Sequence, residues 1–371
     1  MRKTALGLAL ALPLAWLLPA ATPTSAATSR PCPTSSPAAA GRLQDVVLES
    51  TALRGPTRVC ILLPVGYATS HERYPVLYLL HGAGDDQSTW MANTDVEELT
   101  KDLDLIVVMP DGGKAPDAGW YTDWLQGPAW ESYHIGELIP WVDKSLRTVA
   151  TREGRAVAGL SMGGFGAMSY AARHPDLFAA AASFSGAVDT ADGGPLEGVG
   201  FKLAHDQFGT PDERVWGPYT DDEVIWRDHN PPDLASNLRW TTLSLSTGTG
   251  VPQPGDNPPD APTEAAIHVL NLAFHNALTS AAIPHQWRET TFGTHSWPYW
   301  QDDLHQVLPL VLDAFAHPPA QPGAFDYRTA DPTFSVWGWS FASDRLAREF
   351  VDLYVASKAG LVARAAECST S

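Results

Sequence analysis

The chain has 371 residues, and 44% of them are hydrophobic, which is enough apolar side chain to form a sizeable core. Its formal net charge of −18 at pH 7 argues against binding nucleic acid or anionic lipid through bulk charge.

The N-terminus has the three parts of a secretory signal peptide. Two basic residues precede an apolar run over residues 5–18, and a stretch of small residues ends at Ala27. The run is short and interrupted by proline, and no later apolar run is long enough to cross a bilayer, so we expect no transmembrane segment. We expect residues 1–27 to be removed, residues 28–41 to form a flexible leader rich in Ser, Thr, Pro and Ala, and the mature protein to be secreted.

Three cysteines, Cys32, Cys60 and Cys368, allow one disulfide in an exported protein. Cys32–Cys60 is one pairing that would join the N-terminal segment to a strand, but sequence does not determine connectivity. None of the three has the spacing of a zinc site. The sequence implies no metal or cofactor.

Predicted strands alternate with predicted helices over residues 42–317. The predicted strands are Val46–Glu49, Thr57–Leu63, Val76–Leu80, Leu105–Met109, Arg155–Ala158, Ala179–Ser183, Thr241–Ser246 and His285–Phe292. The helical patterns cover Met91–Lys101, Tyr133–Leu146, Gly164–Ala172, Thr263–Ser280 and Trp297–Phe315. This alternation predicts a mainly parallel sheet with helices on both faces, and the two runs before Val76 suggest antiparallel strands at one edge. The fold class is α/β, on the α/β-hydrolase plan.

Two segments lie outside this alternation. Residues 186–237 form a cap-like insertion, which either covers the active site or is a structural excursion over a helix. Residues 318–371 are predicted to be an appendage packed on the domain. Within them, residues 334–341 alternate with strand period, and the charged tail that follows is compatible with a helix.

The segment Gly159–Gly163 reads G-x-S-x-G, with a short strand before it and a helix of small residues after it. That order is the nucleophile elbow, in which Ser161 takes a strained backbone conformation at a helix N-terminus and the flanking glycines avoid collisions. Ser161 is therefore the candidate nucleophile. The alternative is a glycine-rich loop that happens to contain a serine.

A serine hydroxyl needs a base, and in this fold an acid and then a histidine follow the serine along the chain. His295 lies in the loop after the last predicted strand and is the candidate base. The acid belongs after Thr241–Ser246, where Asp256, Asp260 and Glu264 all lie; spacing alone does not choose among them. Glu264 would lie in the first turn of a helix, whose positive end favours an ionised carboxylate.

The oxyanion hole needs two backbone N–H donors. Met162 follows the nucleophile, and Ala83 lies in the loop after the strand Val76–Leu80, so these two are the candidates. In that loop, His81 is expected to hold the backbone and not to act as a base. Nearby tryptophans could line a substrate pocket or pack in the core. The candidate substrate-binding residues among them are Trp90, Trp124 and Trp297.

Five blocks carry a family resemblance. They are Leu79–Gly82, Trp120–Trp124, the helix beginning near Trp130, Gly159–Gly164 and Thr294–Trp300. On these blocks, over roughly residues 45–315, the chain resembles the esterase D-like branch of the α/β-hydrolases, which includes the mycolyltransferases. In the mycolyltransferases the acid is a glutamate on the helix before the final strand, and the resemblance places Glu264 at that position.

Two departures from the mycolyltransferases are visible. The loop Ala83–Gln87 is shorter than theirs and lacks a basic residue, and their paired cysteines after the Trp120–Trp124 block are missing. The resemblance therefore implies a serine carboxylesterase acting on a small-molecule, polysaccharide or lipid ester. An acyltransferase that uses a sugar alcohol, and a non-catalytic wall-binding protein, are the alternatives.

Overall fold

The computed structural model describes residues 42–113, 118–191, 212–343 and 349–356. Eight strands form one sheet in the spatial order β1-β2-β4-β3-β5-β6-β7-β8. Their bounds are β1 Leu43–Ser50, β2 Gly55–Leu62, β3 Val76–Leu80, β4 Ile106–Pro110, β5 Arg155–Leu160, β6 Ala180–Phe184, β7 Thr242–Thr247 and β8 Gln286–Glu289. The predicted signal peptide and leader, residues 1–41, lie outside the described residues.

The strand directions follow the predicted plan. Strand β2 is antiparallel to both β1 and β4, and every other neighbouring pair in the sheet is parallel. Strands β3, β4, β5 and β6 are buried along their whole length, as expected for parallel strands covered on both faces. The α/β-hydrolase fold and its antiparallel edge are confirmed.

Eight α-helices accompany the sheet in the described residues. They are α1 Thr89–Asn93, α2 Val96–Leu99, α3 Ile139–Ser145, α4 Met162–Arg173, α5 Asp212–Val215, α6 Tyr219–His229, α7 Ala261–Ser280 and α8 Trp297–Ala316. A π-helical segment, Ser132–Leu138, leads into α3, and short 3₁₀ turns cover Arg152–Gly154, Ala235–Trp240 and Pro258–Asp260. None of the helices described here has both the length and the apolar character that a membrane span requires.

The predicted helix Met91–Lys101 is wrong as a single element, because it breaks at Thr94. Thr94 has an extended backbone (φ −133°, ψ 170°), and its hydroxyl donates to the Trp90 carbonyl oxygen at 2.5 Å. A threonine hydroxyl that bonds to the preceding turn offers the backbone an alternative to continued helix. Two short helices, α1 and α2, result.

The alternation of side chains along each strand creates two cores. On β3, Val76, Tyr78 and Leu80 face the core that holds the α3, α4 and α7 side chains, whereas Leu77 and Leu79 face the core beneath α1 and α8. Successive strand residues point to opposite faces, so the same alternation recurs on β4 and β5. The sheet is therefore covered by helices on both sides.

The described part of the 186–237 insertion packs on the domain. Trp216 is fully buried, donates its indole N–H to Thr122 Oγ1 at 3.0 Å, and lies 5.8 Å from the ring of Phe165 on α4. These contacts favour the structural role that the sequence left open. Residues 192–211 lie outside the described residues, so a covering role for the insertion stays a prediction.

The C-terminal appendage consists of two antiparallel strand pairs in the described residues. Strand β9, Phe325–Thr329, pairs with β12, Val351–Val355, and strand β10, Thr333–Val336, pairs with β11, Trp339–Ala342. Trp337 (φ 53°) and Gly338 (φ 81°) form the two-residue turn between β10 and β11, whose positive φ values match the twist of a tight hairpin.

The helix-compatible tail is a wrong prediction for residues 351–355. Val351, Leu353 and Val355 alternate with the exposed Asp352 and Tyr354, and Leu353 and Val355 are buried in a small core beneath the hairpin. Pairing with β9 and burial of this alternating face outweigh the weak helix propensity of the segment.

Cys60 on β2 is disulfide-bonded. Its partner lies outside the described residues, so the Cys32–Cys60 pairing stays a prediction.

One buried guanidinium joins the appendage to the domain. Arg173, the last residue of α4, contacts Glu131 at 2.9 Å, Asp228 of α6 at 2.7 Å and Asp331 after β9 at 2.8 Å. Burial alone would raise the pKa of Glu131, but Arg173 holds it well below its usual range, whereas burial outweighs Arg173 at Asp228 and raises the pKa of that carboxyl to about 6. Arg173 thus balances more negative charge than its own, since three carboxyls converge on it.

Replacing Arg173 should destabilise the whole fold. The Arg173→Met variant leaves Glu131 and Asp228 buried without their cation, and breaking a buried ion pair from one side costs about 3–5 kcal/mol. Urea unfolding should show this loss of unfolding free energy at pH 7. The matched control is Asp352→Asn, which removes an exposed pair with Arg328 and should change stability by less than about 1 kcal/mol. Equal effects of the two variants would contradict the role given to Arg173.

Candidate active site

Ser161 lies at the turn between β5 and α4. Its φ of 52° and ψ of −119° are rare for a residue with a side chain, and strain of this kind is concentrated at functional sites. A Cβ at Gly159 would lie 2.4 Å from the Gly163 carbonyl oxygen, and one at Gly163 would lie 2.5 Å from the Leu80 carbonyl oxygen. Glycine is therefore required on both sides of the serine, because β3, β5 and the start of α4 approach too closely for any side chain.

Three loops at the carboxyl ends of β5, β7 and β8 bring Ser161, Glu264 and His295 together. The Ser161 hydroxyl lies 2.8 Å from His295 Nε2, and Glu264 Oε2 lies 2.7 Å from His295 Nδ1. Glu264 lies in the first turn of α7, as predicted, although the helix begins at Ala261, two residues earlier than expected. The residues predicted as nucleophile, base and acid thus form one continuous hydrogen-bonded chain.

The other two candidate acids contact different groups. Asp256 Oδ2 accepts the Tyr299 hydroxyl at 2.8 Å, and Asp260 Oδ2 accepts the Asn257 side-chain amide at 3.1 Å. Asp260 does support the site, because its backbone carbonyl accepts the His295 N–H at 3.2 Å. Neither carboxylate is bonded to the imidazole.

Glu264 is completely buried and is held by several donors. Its Oε1 accepts the Gly248 N–H at 2.7 Å and the Ser185 hydroxyl at 2.8 Å. Burial raises the pKa of Glu264, but the hydrogen bond and charge of His295, together with Ser185 and Gly248, outweigh it and lower the pKa overall. An ionised Glu264 fixes the hydrogen of the neutral imidazole on Nδ1 and leaves the Nε2 lone pair facing the Ser161 hydroxyl.

Ser185, Gly248 and Asp303 are residues of this site that were not predicted from the sequence. Ser185 and Gly248 directly follow β6 and β7, but no motif marks a serine or a backbone N–H as a carboxylate donor. Asp303 lies on the apolar stripe of α8 between Trp300 and Leu304, and an acidic residue on a buried stripe is a signal that the sequence did offer. Burial raises the pKa of Asp303 to about 7 even though Arg288 pairs with it, and the charge of Glu264 adds to the increase.

The two predicted oxyanion donors lie in segments that flank Ser161. Met162 is the first residue of α4, so its N–H is among those at a helix start that have no intrahelical acceptor. On the other side, a Cβ at Gly82 would lie 3.5 Å from Ser161 Cβ and 2.7 Å from Leu160 Cδ1. The backbone that leads into Ala83 therefore passes directly beside the serine.

The predicted substrate-binding tryptophans differ in exposure. Trp90 is 1% exposed and donates to the Leu80 carbonyl at 3.1 Å, and Trp124 is 6% exposed and donates to the Gly119 carbonyl at 3.0 Å. Their burial supports the packing role that the sequence left open. Trp297 is partly exposed and contacts Trp90 edge to face at 5.2 Å, so its substrate-binding role stays a prediction.

Metal binding has no candidate site in the described ranges, where no three His, Cys, Asp or Glu side chains are grouped to hold an ion.

Comparison with known proteins identifies the family of the chain. Residues 50–311 match the model of the family described as "Putative esterase". The chain belongs to this esterase family. The family model ends before β9, so the appendage lies outside the matched region.

Two curated relatives carry different activities in their names. Esterase Rv1288 of Mycobacterium tuberculosis (strain ATCC 25618 / H37Rv) is 36% identical over 250 residues, which cover 66% of this chain and 54% of the relative. The chain thus spans about half the length of that esterase. Diacylglycerol acyltransferase/mycolyltransferase Ag85B of Mycobacterium leprae (strain TN) is 34% identical over 251 residues, which cover 63% of this chain and 74% of the relative.

A solved structure supports the same fold. A ferulic acid esterase superposes with a TM-score of 0.55 at 27% identity, covering 72% of this chain and 97% of the esterase. The predicted resemblance to esterases related to the mycolyltransferases is therefore confirmed.

Proposed function

We propose that the protein is a secreted serine carboxylesterase that hydrolyses carboxylic esters through a Ser161–His295–Glu264 triad. The observation that carries the proposal is the unbroken chain of hydrogen bonds from the Ser161 hydroxyl through the imidazole to a buried carboxylate, at 2.8 Å and 2.7 Å. Membership of the esterase family supports ester chemistry at this site. Secretion rests on the signal-peptide pattern of residues 1–27.

In the first step, Ser161 Oγ attacks the ester carbonyl carbon while His295 Nε2 takes the hydroxyl proton. The ionised Glu264 stabilises the imidazolium that forms and keeps the ring oriented through Nδ1. His295 then gives its proton to the leaving alcohol, and the acyl group stays on Ser161. Water, activated by the same imidazole, releases the acid in the second step.

The negative charge that develops on the carbonyl oxygen needs fixed donors. Met162 N–H and Ala83 N–H are the proposed oxyanion hole, one from the start of α4 and one from the loop after β3. Backbone amides suit this role because packing fixes them before the reaction begins. The mechanism uses no metal or cofactor.

The alternative is transfer of the acyl group to a sugar alcohol in place of water. The likeness to Ag85B favours it, because both reactions share the acyl-enzyme step. The short loop Ala83–Gln87, without a basic residue to contact a sugar, favours hydrolysis. We therefore place the acyltransferase second.

Ser161→Ala should lower kcat/KM for p-nitrophenyl acetate by about 10³ or more, because it removes the nucleophile while most of the site stays in place. Release of p-nitrophenol measures the rate, and a fluorophosphonate probe should label the wild type but not the variant. Ser335→Ala, in the exposed hairpin of the appendage, is the matched control and should behave as the wild type. Far-UV circular dichroism should be the same for all three proteins. Full activity in Ser161→Ala would refute the assignment.

The products of a competition assay should separate hydrolysis from transfer. With an acyl ester as donor and millimolar trehalose or glucose present, free acid should be the main product because water is the proposed acceptor. Mass spectrometry of the products measures the ratio of free acid to acylated sugar. Acylated sugar as the main product would identify a transferase, although the triad would remain.

A further inference from the structure

The peptide group between Gly82 and Ala83 is bonded at its carbonyl end by a buried histidine. Its carbonyl oxygen, on Gly82, lies 2.8 Å from His81 Nδ1. The N–H at the other end of this planar group belongs to Ala83, the proposed oxyanion donor. Whatever fixes the direction of the carbonyl therefore fixes the direction of the N–H, since the two point in opposite directions in one rigid plane.

The contacts of the second ring nitrogen, Nε2, determine the tautomer of His81. Nε2 lies 3.6 Å from Asp111 Oδ1 and accepts the closer Gly112 N–H at 2.8 Å, and a nitrogen that accepts carries a lone pair, so the ring hydrogen lies on Nδ1. Nδ1 then donates to the Gly82 carbonyl. The ring is 1% exposed, so water does not compete for either bond.

A second contact holds the preceding peptide group. The Tyr121 hydroxyl donates to the His81 carbonyl oxygen at 3.0 Å, and Tyr121 is itself 1% exposed. Tyr121 and its neighbour Trp120 have φ values of 50° and 54°, two successive left-handed residues with bulky side chains. Such strain persists only where the surroundings enforce it, and here it brings the phenol to the oxyanion loop.

Neighbouring glycines make room for that phenol. A Cβ at Gly112 would lie 2.5 Å from Tyr121 Cε1, and a Cβ at Gly166 of α4 would lie 2.6 Å from Tyr121 Cγ. The ring is thus enclosed between the segment that follows β4 and helix α4. Asp85 completes the loop, because its N–H donates to the Gly82 carbonyl at 3.3 Å.

We propose that His81 is a positioning residue for the oxyanion hole. It holds and polarises the Gly82–Ala83 peptide group, and Tyr121 supports it by holding the preceding peptide group. A hydrogen bond to the carbonyl strengthens the N–H of the same amide as a donor, because bonds in a chain polarise one another. Preorganised donors are what stabilises a developing oxyanion. This inference rests on the proposed esterase function.

Two replacements of His81 separate its two nitrogens. In His81→Asn, the side-chain amide reaches the position of Nδ1 and keeps a donor for the Gly82 carbonyl. In His81→Gln, the amide oxygen reaches the position of Nε2 and keeps the acceptor for Gly112, but the donor is lost. Removing a whole oxyanion donor lowers kcat by about 10²–10³, so a misdirected donor in His81→Gln should lower kcat by about 10- to 100-fold with KM nearly unchanged.

His81→Asn should retain kcat within about 3-fold, because it keeps the bond that orients the donor. Affinity for a trifluoromethyl ketone, which forms a tetrahedral adduct with the serine, should fall in parallel with kcat across the variants. An equal fall in both His81 variants would mean that the ring only fills space, and an unchanged kcat in His81→Gln would overturn the proposal.

Tyr121→Phe removes one hydroxyl and keeps the ring, and it tests the proposal if the His81 variants do not fold. Its kcat should fall several-fold at constant KM, and an unchanged kcat would contradict the support assigned to Tyr121. Fluorophosphonate labelling of Ser161 distinguishes failure of the proposed function from failure of the positioning role. If the wild type is not labelled, the proposed function fails; if it is labelled and His81→Gln matches it in kcat, only the positioning role fails.

Discussion

The hydrogen bond between His295 and the buried carboxylate of Glu264 is the interaction on which the site depends. A carboxylate without solvent exposure is unfavourable unless donors surround it, and Glu264 has donors from three other segments of the chain. The ends of β6, β7 and β8 must therefore meet at one point before the carboxylate can ionise. The same convergence places His295 beside Ser161, so the packing of the sheet also sets the geometry that the proposed mechanism needs.

Close approach of backbone is the second constraint. Gly159, Gly163 and Gly82 lie where a Cβ would collide with neighbouring atoms, so the nucleophile turn and the oxyanion loop are pressed against each other. Strained residues at Ser161, Trp120 and Tyr121 surround this contact. The domain supplies the rigidity that holds them, because strands β3 and β5 are fully buried and paired in parallel. The strained backbone and the proposed catalytic residues thus occupy the same small region.

Patterns that are local in the chain predicted most of the fold and part of the site. Apolar strand runs and helical periodicity gave the parallel order, because each signal lies within a few residues. Ser161 was marked by its glycines and His295 by its place after the last strand. Glu264 was different: spacing did not separate it from Asp256 and Asp260, and it was favoured by its place at a helix start and by the family resemblance.

What the sequence could not predict depends on contacts between distant segments. Ser185 and Gly248 carry no motif, and their role exists only once β6, β7 and α7 are packed. Strand β12 was not predicted because charged residues flank it and because its burial comes from pairing with β9, more than twenty residues earlier. Asp331 lies beyond the region matched by the family model, and its ion pair with Arg173 links the appendage to helix α4. Long-range electrostatics of this kind leave no periodic signal.

A crystal structure of the protein after reaction with a fluorophosphonate tests the proposed triad and oxyanion hole most directly. We expect phosphorus bonded to Ser161 Oγ, with the phosphoryl oxygen about 2.7–3.1 Å from the backbone nitrogens of both Met162 and Ala83. His295 should remain bonded to Glu264 beside the adduct. Phosphorus on another residue would show that Ser161 is not the nucleophile, and a phosphoryl oxygen directed away from both amides would show that they do not form the oxyanion hole.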